Sequence, residues 1–152
     1  MKRSHFSLPL LLVLWVLSGC QAAEPNQPRV QSQETDAVYQ QIGYNPVLSN
    51  HTASMVKKRI NGVDDAVSVV IGEDVSIALK VTGIDRFRLK GIKKEVASQL
   101  KKDLSDRYTI HVTTDKKLFQ DLQTLKRKVN HGEGTPKAII KTYNKINKDM
   151  HG

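Results

Sequence analysis

The chain has 152 residues, with 24 Lys or Arg against 15 Asp or Glu, so its formal net charge is +9. A single cysteine excludes an intrachain disulfide. An aromatic content of 5% is too low for the stacking platforms that bind single-stranded nucleic acid.

Residues 1–19 have the composition of an export signal. Lys2 and Arg3 form a positive start, and residues 8–17 form an apolar run that closes with Leu17-Ser18-Gly19-Cys20. An apolar run of about ten residues has the length of a signal-peptide core and about half that of a membrane-spanning helix.

The Leu-Ser-Gly-Cys ending resembles the lipobox of bacterial lipoproteins. The resemblance implies diacylglyceryl transfer to the Cys20 sulfur and cleavage between Gly19 and Cys20, followed in many bacteria by acylation of the new amine with a fatty acid such as palmitate. No Ala-x-Ala site precedes Cys20, which argues against an ordinary secretory signal. Because two or three acyl chains hold a protein on a bilayer, we predict a lipid anchor on the extracytoplasmic face of a cell membrane.

Residues 20–50 are predicted to form a flexible linker with a net charge of −2. They are rich in Gln, Asn and Pro, and their few large apolar side chains cannot offset the entropy of ordering the segment. The apolar positions near its end form either one docked turn or no ordered structure: Val38, Tyr39, Ile42 and Tyr44.

Residues 51–130 are predicted to form a small α+β domain that opens with a helix from about Thr52 to Asn61. Two runs with a period of two, 66–71 and 75–81, flank a Gly72-Glu73-Asp74 turn and predict a β-hairpin. The second run has one apolar face and one small or polar face, so we expect a sheet covered on one side only.

After a basic loop from Gly83 to Arg88, apolar residues at helical spacing predict a second helix from Leu89 to Leu104. Residues 108–113 alternate as a third strand, and Asp115 is a suitable N-cap for a third helix that reaches Val129. The expected fold is therefore one three-stranded sheet backed by helices, in which the third strand pairs with either arm of the hairpin.

Residues 135–150 predict a basic amphipathic helix that begins with Thr135 as N-cap and Pro136 at the first helical position. Three interpretations remain open for this helix. It packs on the domain, lies on an anionic membrane surface, or binds a partner protein.

Positive charge is concentrated in the folded part: residues 51–134 carry +6 and residues 135–152 carry +3. A basic module outside the cytoplasm usually meets anionic lipid or a cell-wall polymer, whereas the plainer alternative is a solvated surface that serves solubility. The candidate anionic-surface contacts are Lys93, Lys94, Lys101, Lys102, Lys137, Lys141, Lys145 and Lys148.

Side chains in a catalytic or metal-binding pattern are not apparent in the sequence. The histidines after the signal lack zinc-ligand spacing, and His111 falls on the polar face of its strand. Asp64 and Asp65 enter a strand and should point in opposite directions. We therefore predict a non-enzymatic protein with no cofactor, no metal site and no nucleic-acid partner.

Several segments taken in order resemble the YhcN/YlaJ sporulation lipoproteins of endospore-forming bacteria. They are the lipobox, the tether, Val63-Asp64-Asp65-Ala66 leading into 67–71, residues 74–79, the Lys-rich helix, and His111-Val112-Thr113-Thr114-Asp115. The resemblance covers roughly residues 10–125 and does not extend to the helix at 135–150.

The resemblance implies a lipoprotein of the spore inner membrane with an accessory role in germination or outgrowth and no known enzymatic activity. Its partner would be anionic lipid, a cell-wall polymer or another spore membrane protein. An alternative is a peptidoglycan- or cortex-associated module that assists a germination enzyme. The order of elements is also similar to the BON module, which is proposed to associate with phospholipid.

Overall fold

The computed structural model describes residues 39–81 and 83–151, so the signal segment and most of the predicted tether lie outside the described residues. The predicted α+β fold with a three-stranded sheet is confirmed. Its helices are α1 (Pro46–Arg59), α2 (Leu89–Asp103), α3 (Lys116–Asn130) and α4 (Pro136–His151). Its strands are β1 (Val63–Ile71), β2 (Asp74–Val81) and β3 (Thr109–Thr113), and Gly83–Arg88 forms a 3-10 helix.

The predicted hairpin is the antiparallel pair β1–β2, in which Val69 lies opposite Ser76. Gly72 opens its turn with a φ of +59°, a conformation that glycine adopts without strain. The third strand adds to β2 and runs parallel to it, with His111 opposite Ser76, so the strand order is β1-β2-β3. A parallel pair of strands needs a crossover connection. Here the 3-10 helix and α2 form it, between β2 and β3.

One face of the sheet is covered by α1 and α2. The apolar stripe of α2 buries Ile92, Val96 and Leu100 against Ile77 and Leu79 of β2. From α1, Met55, Val56 and Ile60 complete this half of the core.

The opposite face of the sheet is covered by α3 and α4, so the prediction of a sheet covered on one side is wrong. Val67, Val69 and Ala78 are buried there against Leu122 and Tyr143. The small side chains on this face of β2 let the helices approach closely. The polar Ser76 among them is satisfied because its hydroxyl donates a hydrogen bond to the Asn147 side-chain oxygen.

The first helix begins at Pro46, six residues before the predicted start at Thr52. Asn45 caps it, since its side-chain oxygen accepts a hydrogen bond of 2.8 Å from the Leu48 amide, and Pro46 suits the first helical position. Ahead of the helix, Ile42 and Tyr44 are buried with the α3–α4 half of the core. The docked turn, one of two alternatives for this segment, is therefore the one observed.

The predicted basic loop from Gly83 to Arg88 is a 3-10 helix instead. The last helix, for which three interpretations were open, packs on the domain. Its residues Ile139, Tyr143 and Ile146 are only 3%, 1% and 3% exposed.

Candidate functional site

The predicted lipidation site, Cys20, and the residue before the predicted cleavage, Gly19, lie outside the described residues. Their roles stay predictions from the lipobox. Within residues 39–81 and 83–151, every helix is too short or too polar to cross a bilayer.

Of the four candidate lysines on α2, Lys94, Lys101 and Lys102 are exposed and Lys93 is half-buried. The buried stripe of Ile92, Val96 and Leu100 fixes the rotation of this helix. At 3.6 residues per turn, Lys94 and Lys101 point almost directly away from that stripe, together with Lys90. We call Lys90, Lys94 and Lys101 the α2 basic stripe, because their directions around the helix axis fall within about 40°.

The four candidate lysines on α4 are all exposed. The buried face of this helix is formed by Ile139, Tyr143 and Ile146. The four lysines fall within about 80° on the opposite side of the helix. We call this set the α4 basic stripe: Lys137, Lys141, Lys145 and Lys148.

The two stripes lie on opposite faces of the sheet, because α2 packs on one face and α4 on the other. The fold therefore does not bring the eight candidate lysines into a single patch. A flat anionic surface would meet one of the two helix faces at a time.

The candidate lysines are not neutralised by carboxylates within the described part of the chain. The ion pairs found there involve other cations, such as Lys57 with Asp65 at 3.3 Å and Arg59 with Asp103 at 3.1 Å. By contrast, Lys117 on α3 contacts Asp121 at 2.7 Å, and this hydrogen bond raises the pKa of Lys117. Both stripes thus present unpaired positive charge to solvent, as far as residues 39–81 and 83–151 are concerned.

A groove of about 590 Å³ runs between α3 and α4. Its lining mixes the cations Lys117, Lys128, Lys141 and Lys145 with the acids Asp121, Glu133 and Asp149. Because these acids offset most of the positive charge, the groove is a weaker site for an anion than either outward stripe.

His111 takes part in a contact that the sequence did not indicate. Its Nδ1 lies 2.6 Å from Nε2 of His151, and its Nε2 lies 3.1 Å from a carboxylate oxygen of Asp74. His111 was expected on the polar face of its strand, and there it is held between the start of β2 and the end of α4. Residues 39–81 and 83–151 contain no group of three or more His, Cys, Asp or Glu side chains arranged to hold a metal ion.

Another feature that the sequence did not indicate is Phe87, which is 92% exposed on the 3-10 helix. It lies in the segment predicted as a basic loop, two positions before α2 begins at Leu89. The signal for exposure was its position between Arg86 and Arg88 in the sequence.

The fold and its surfaces define a small basic α+β module with cationic helix faces on both sides of one sheet. A family model described as sporulation lipoprotein YhcN/YlaJ matches residues 19–147. The chain belongs to this family of sporulation lipoproteins, and membership implies lipid anchoring at a membrane of sporulating cells. The match includes most of α4, which the resemblance had left out. No curated protein and no solved structure matches the chain.

Proposed function

We propose that this protein is a non-enzymatic, lipid-anchored module of the spore membrane that uses its basic domain to hold an anionic envelope surface. Family membership supports the anchor. Binding to an anionic surface is supported by the exposed lysines on α2 and α4, which lack a carboxylate partner among the described residues.

Anionic headgroups of the same membrane are the favoured surface. Each lysine near such a surface contributes about 1 kcal/mol of binding free energy. Three or four lysines on one helix face are therefore enough to orient a domain that its lipid already holds at the bilayer. In this role the protein is accessory to germination or outgrowth, at the spore inner membrane.

Co-sedimentation tests the proposal with the mature chain carrying Cys20→Ala, so that binding reports the domain and not the acyl chains. We expect it to pellet with vesicles containing anionic lipid at low salt and to stay soluble with neutral vesicles. Binding should fall steeply between 0.1 and 1 M salt, because the screening length shortens from about 10 to 3 Å.

The same assay with isolated peptidoglycan tests the alternative of a cortex-associated module that assists a germination enzyme. If the protein pellets with peptidoglycan but not with anionic vesicles, the surface that the domain binds is the cell wall and not the membrane. If the protein pellets with neither, the basic surface serves only to keep the protein soluble. For the accessory role, spores that lack the protein should show delayed outgrowth, restored by the intact gene and not by the Cys20→Ala form.

A further inference from the structure

The two basic stripes raise the question of which one faces the bilayer. We infer that the α2 side does, with Phe87 inserted among the lipid headgroups and the α2 basic stripe lying on their anionic surface. This inference rests on the proposed function and deepens it by assigning one face of the domain to the membrane.

Phe87 is an exposed aromatic residue on the 3-10 helix that precedes α2. Its side chain is 92% exposed, and the only other large apolar side chain so exposed in the described residues is Val47, at 77%. A lone exposed apolar residue is ordinary on a protein surface. An aromatic ring beside cations, on a protein tethered to a bilayer, has the arrangement of interfacial membrane anchors.

Positive charge follows Phe87 directly, at Arg88, and continues along α2. The only acid close to the Arg88 guanidinium among the described residues is Asp85, at 3.5 Å. The α2 basic stripe then starts three residues after Phe87, at Lys90, and runs about 17 Å along the helix to Lys101. The ring and the stripe therefore offer an apolar tip and an adjoining cationic face.

Helix α4 differs from α2 in the apolar side chains near its lysines. Its basic stripe has four lysines, but no large apolar side chain is exposed beside it within residues 39–81 and 83–151, since Ile140 and Met150 are partly buried against the core. Charge alone holds a surface at the outer edge of the headgroups, whereas an apolar side chain also inserts between them. The α4 side therefore faces away from the bilayer.

The length of the chain permits this orientation. Gly43, near the start of the described residues, contacts Gly72 at the turn end of the hairpin, whereas Gly62 adjoins Asp85 of the 3-10 helix at the opposite end. The nine residues of β1 separate these ends by roughly 26 Å. The chain between Cys20 and Tyr39 spans up to about 60 Å when extended, so Phe87 is within reach of the membrane that holds Cys20.

The inference is tested with the mature chain carrying Cys20→Ala and Phe87→Trp. The only tryptophan in the sequence is Trp15, in the predicted signal segment, so the new indole is the sole one in the mature chain. We expect its emission to shift to the blue on binding anionic vesicles and to be quenched by lipids that carry a quencher near the headgroup.

Two matched charge variants then separate the helix faces. K90Q/K94Q/K101Q removes the α2 basic stripe, and K137Q/K141Q/K148Q removes three charges from α4. Each surface lysine is worth roughly a fivefold change in partitioning, so the α2 variant should bind on the order of 100-fold more weakly. The partitioning of the α4 variant onto anionic vesicles should differ from that of the parent chain by less than about fivefold at 0.1 M salt, where the screening length is about 10 Å.

The outcomes separate this inference from the proposed function. If the parent chain binds but the indole emission stays unshifted, or the α4 variant loses more binding than the α2 variant, the assigned face is wrong and the proposed function survives. If the parent chain does not bind anionic vesicles at all, both fail. Unchanged circular dichroism and thermal midpoints of the variants exclude misfolding as the cause.

Discussion

The side-chain hydroxyl of Tyr143 lies 2.9 Å from the main-chain carbonyl oxygen of Asp74 and donates a hydrogen bond to it. The same hydroxyl is 3.3 Å from the carbonyl oxygen of Val69, in the other arm of the hairpin. The ring is 1% exposed, so this residue fastens the last helix to both arms of the hairpin. The C-terminal helix is thus an integral part of the fold.

Replacing Tyr143 by Phe should lower the free energy of unfolding by about 1–2 kcal/mol, because buried carbonyl oxygens lose a hydrogen-bond donor while the ring still fills its site. Urea denaturation measures the change. The matched control is Tyr108→Phe. Among the described residues, the Tyr108 hydroxyl accepts a hydrogen bond only from the exposed Arg107, so this substitution should change the free energy of unfolding by less than about 0.5 kcal/mol. Equal effects of the two variants would contradict the bracing role of Tyr143.

The same residue predicts how stability falls at alkaline pH. Burial raises the pKa of Tyr143 to about 12, whereas tyrosine in an unfolded chain has a pKa near 10. The folded state therefore holds the proton more tightly. The protonated Tyr143 hydroxyl therefore makes its full contribution to the free energy of unfolding below about pH 10. This contribution, about 2–3 kcal/mol in total, is lost as pH rises to about 12.

Denaturation of the parent and of Tyr143→Phe across this pH range measures the effect as a difference between the two proteins. The parent should lose more stability than the variant. Burial also raises the pKa of Tyr44 to about 12, so part of the alkaline loss should persist in the variant. Identical pH profiles of the two proteins would contradict the assignment to Tyr143.

Truncating Ile146 to Ala should destabilise the domain by about 2–5 kcal/mol, since the side chain is 3% exposed and its removal leaves a cavity in the core. Its neighbour Lys145 is exposed on the same helix, and Lys145→Ala should change stability by less than about 0.5 kcal/mol. Thermal or urea denaturation of both variants tests the packing of α4. A helix that instead lay free of the domain would give similar small effects at both positions.

A third pair of variants tests the link between α1 and β1. Gly62 has a φ of +90°, and a Cβ added there would lie 2.7 Å from Cγ of Asp85. We expect Gly62→Ala to lower the free energy of unfolding by about 1–3 kcal/mol, because alanine disfavours this backbone conformation and the Asp85 side chain must move. Denaturation midpoints report the change.

Gly91 supplies the contrast for this experiment. It lies in α2, and a Cβ added there meets nothing within 4 Å. Gly91→Ala should therefore stabilise the domain by about 0.5–1 kcal/mol, through the better helix propensity of alanine. If both glycine variants shifted stability in the same direction, the constraint assigned to Gly62 would be wrong.

The hairpin and the amphipathic helices were predictable because their apolar residues repeat at the periods of a strand and a helix. The start of α1 at Pro46 is also encoded locally, because Asn45 followed by Pro46 is a cap and first-position pair. Coverage of both sheet faces was harder to predict, because Ser76 and Ala78 read as a solvent-facing surface. Small side chains are equally what a closely packed helix requires.

The individual lysines of the candidate surface could be named from the sequence, but their grouping could not. Whether α2 and α4 share a side of the sheet depends on the pairing of β3 with β2, a contact that no local pattern encodes. The His111–His151 contact was hidden for the same reason, since 40 residues separate the two imidazoles.

We propose that a lipid on Cys20 holds this basic domain at a membrane of sporulating cells. Mass spectrometry of the protein from such cells, after metabolic labelling with a fatty-acid probe, shows whether Cys20 carries that lipid. We predict a mature chain that begins at a labelled Cys20 in the membrane fraction, and an unlabelled protein when Cys20→Ala is introduced. An unmodified Cys20 in an intact chain recovered from the soluble fraction would contradict the claim.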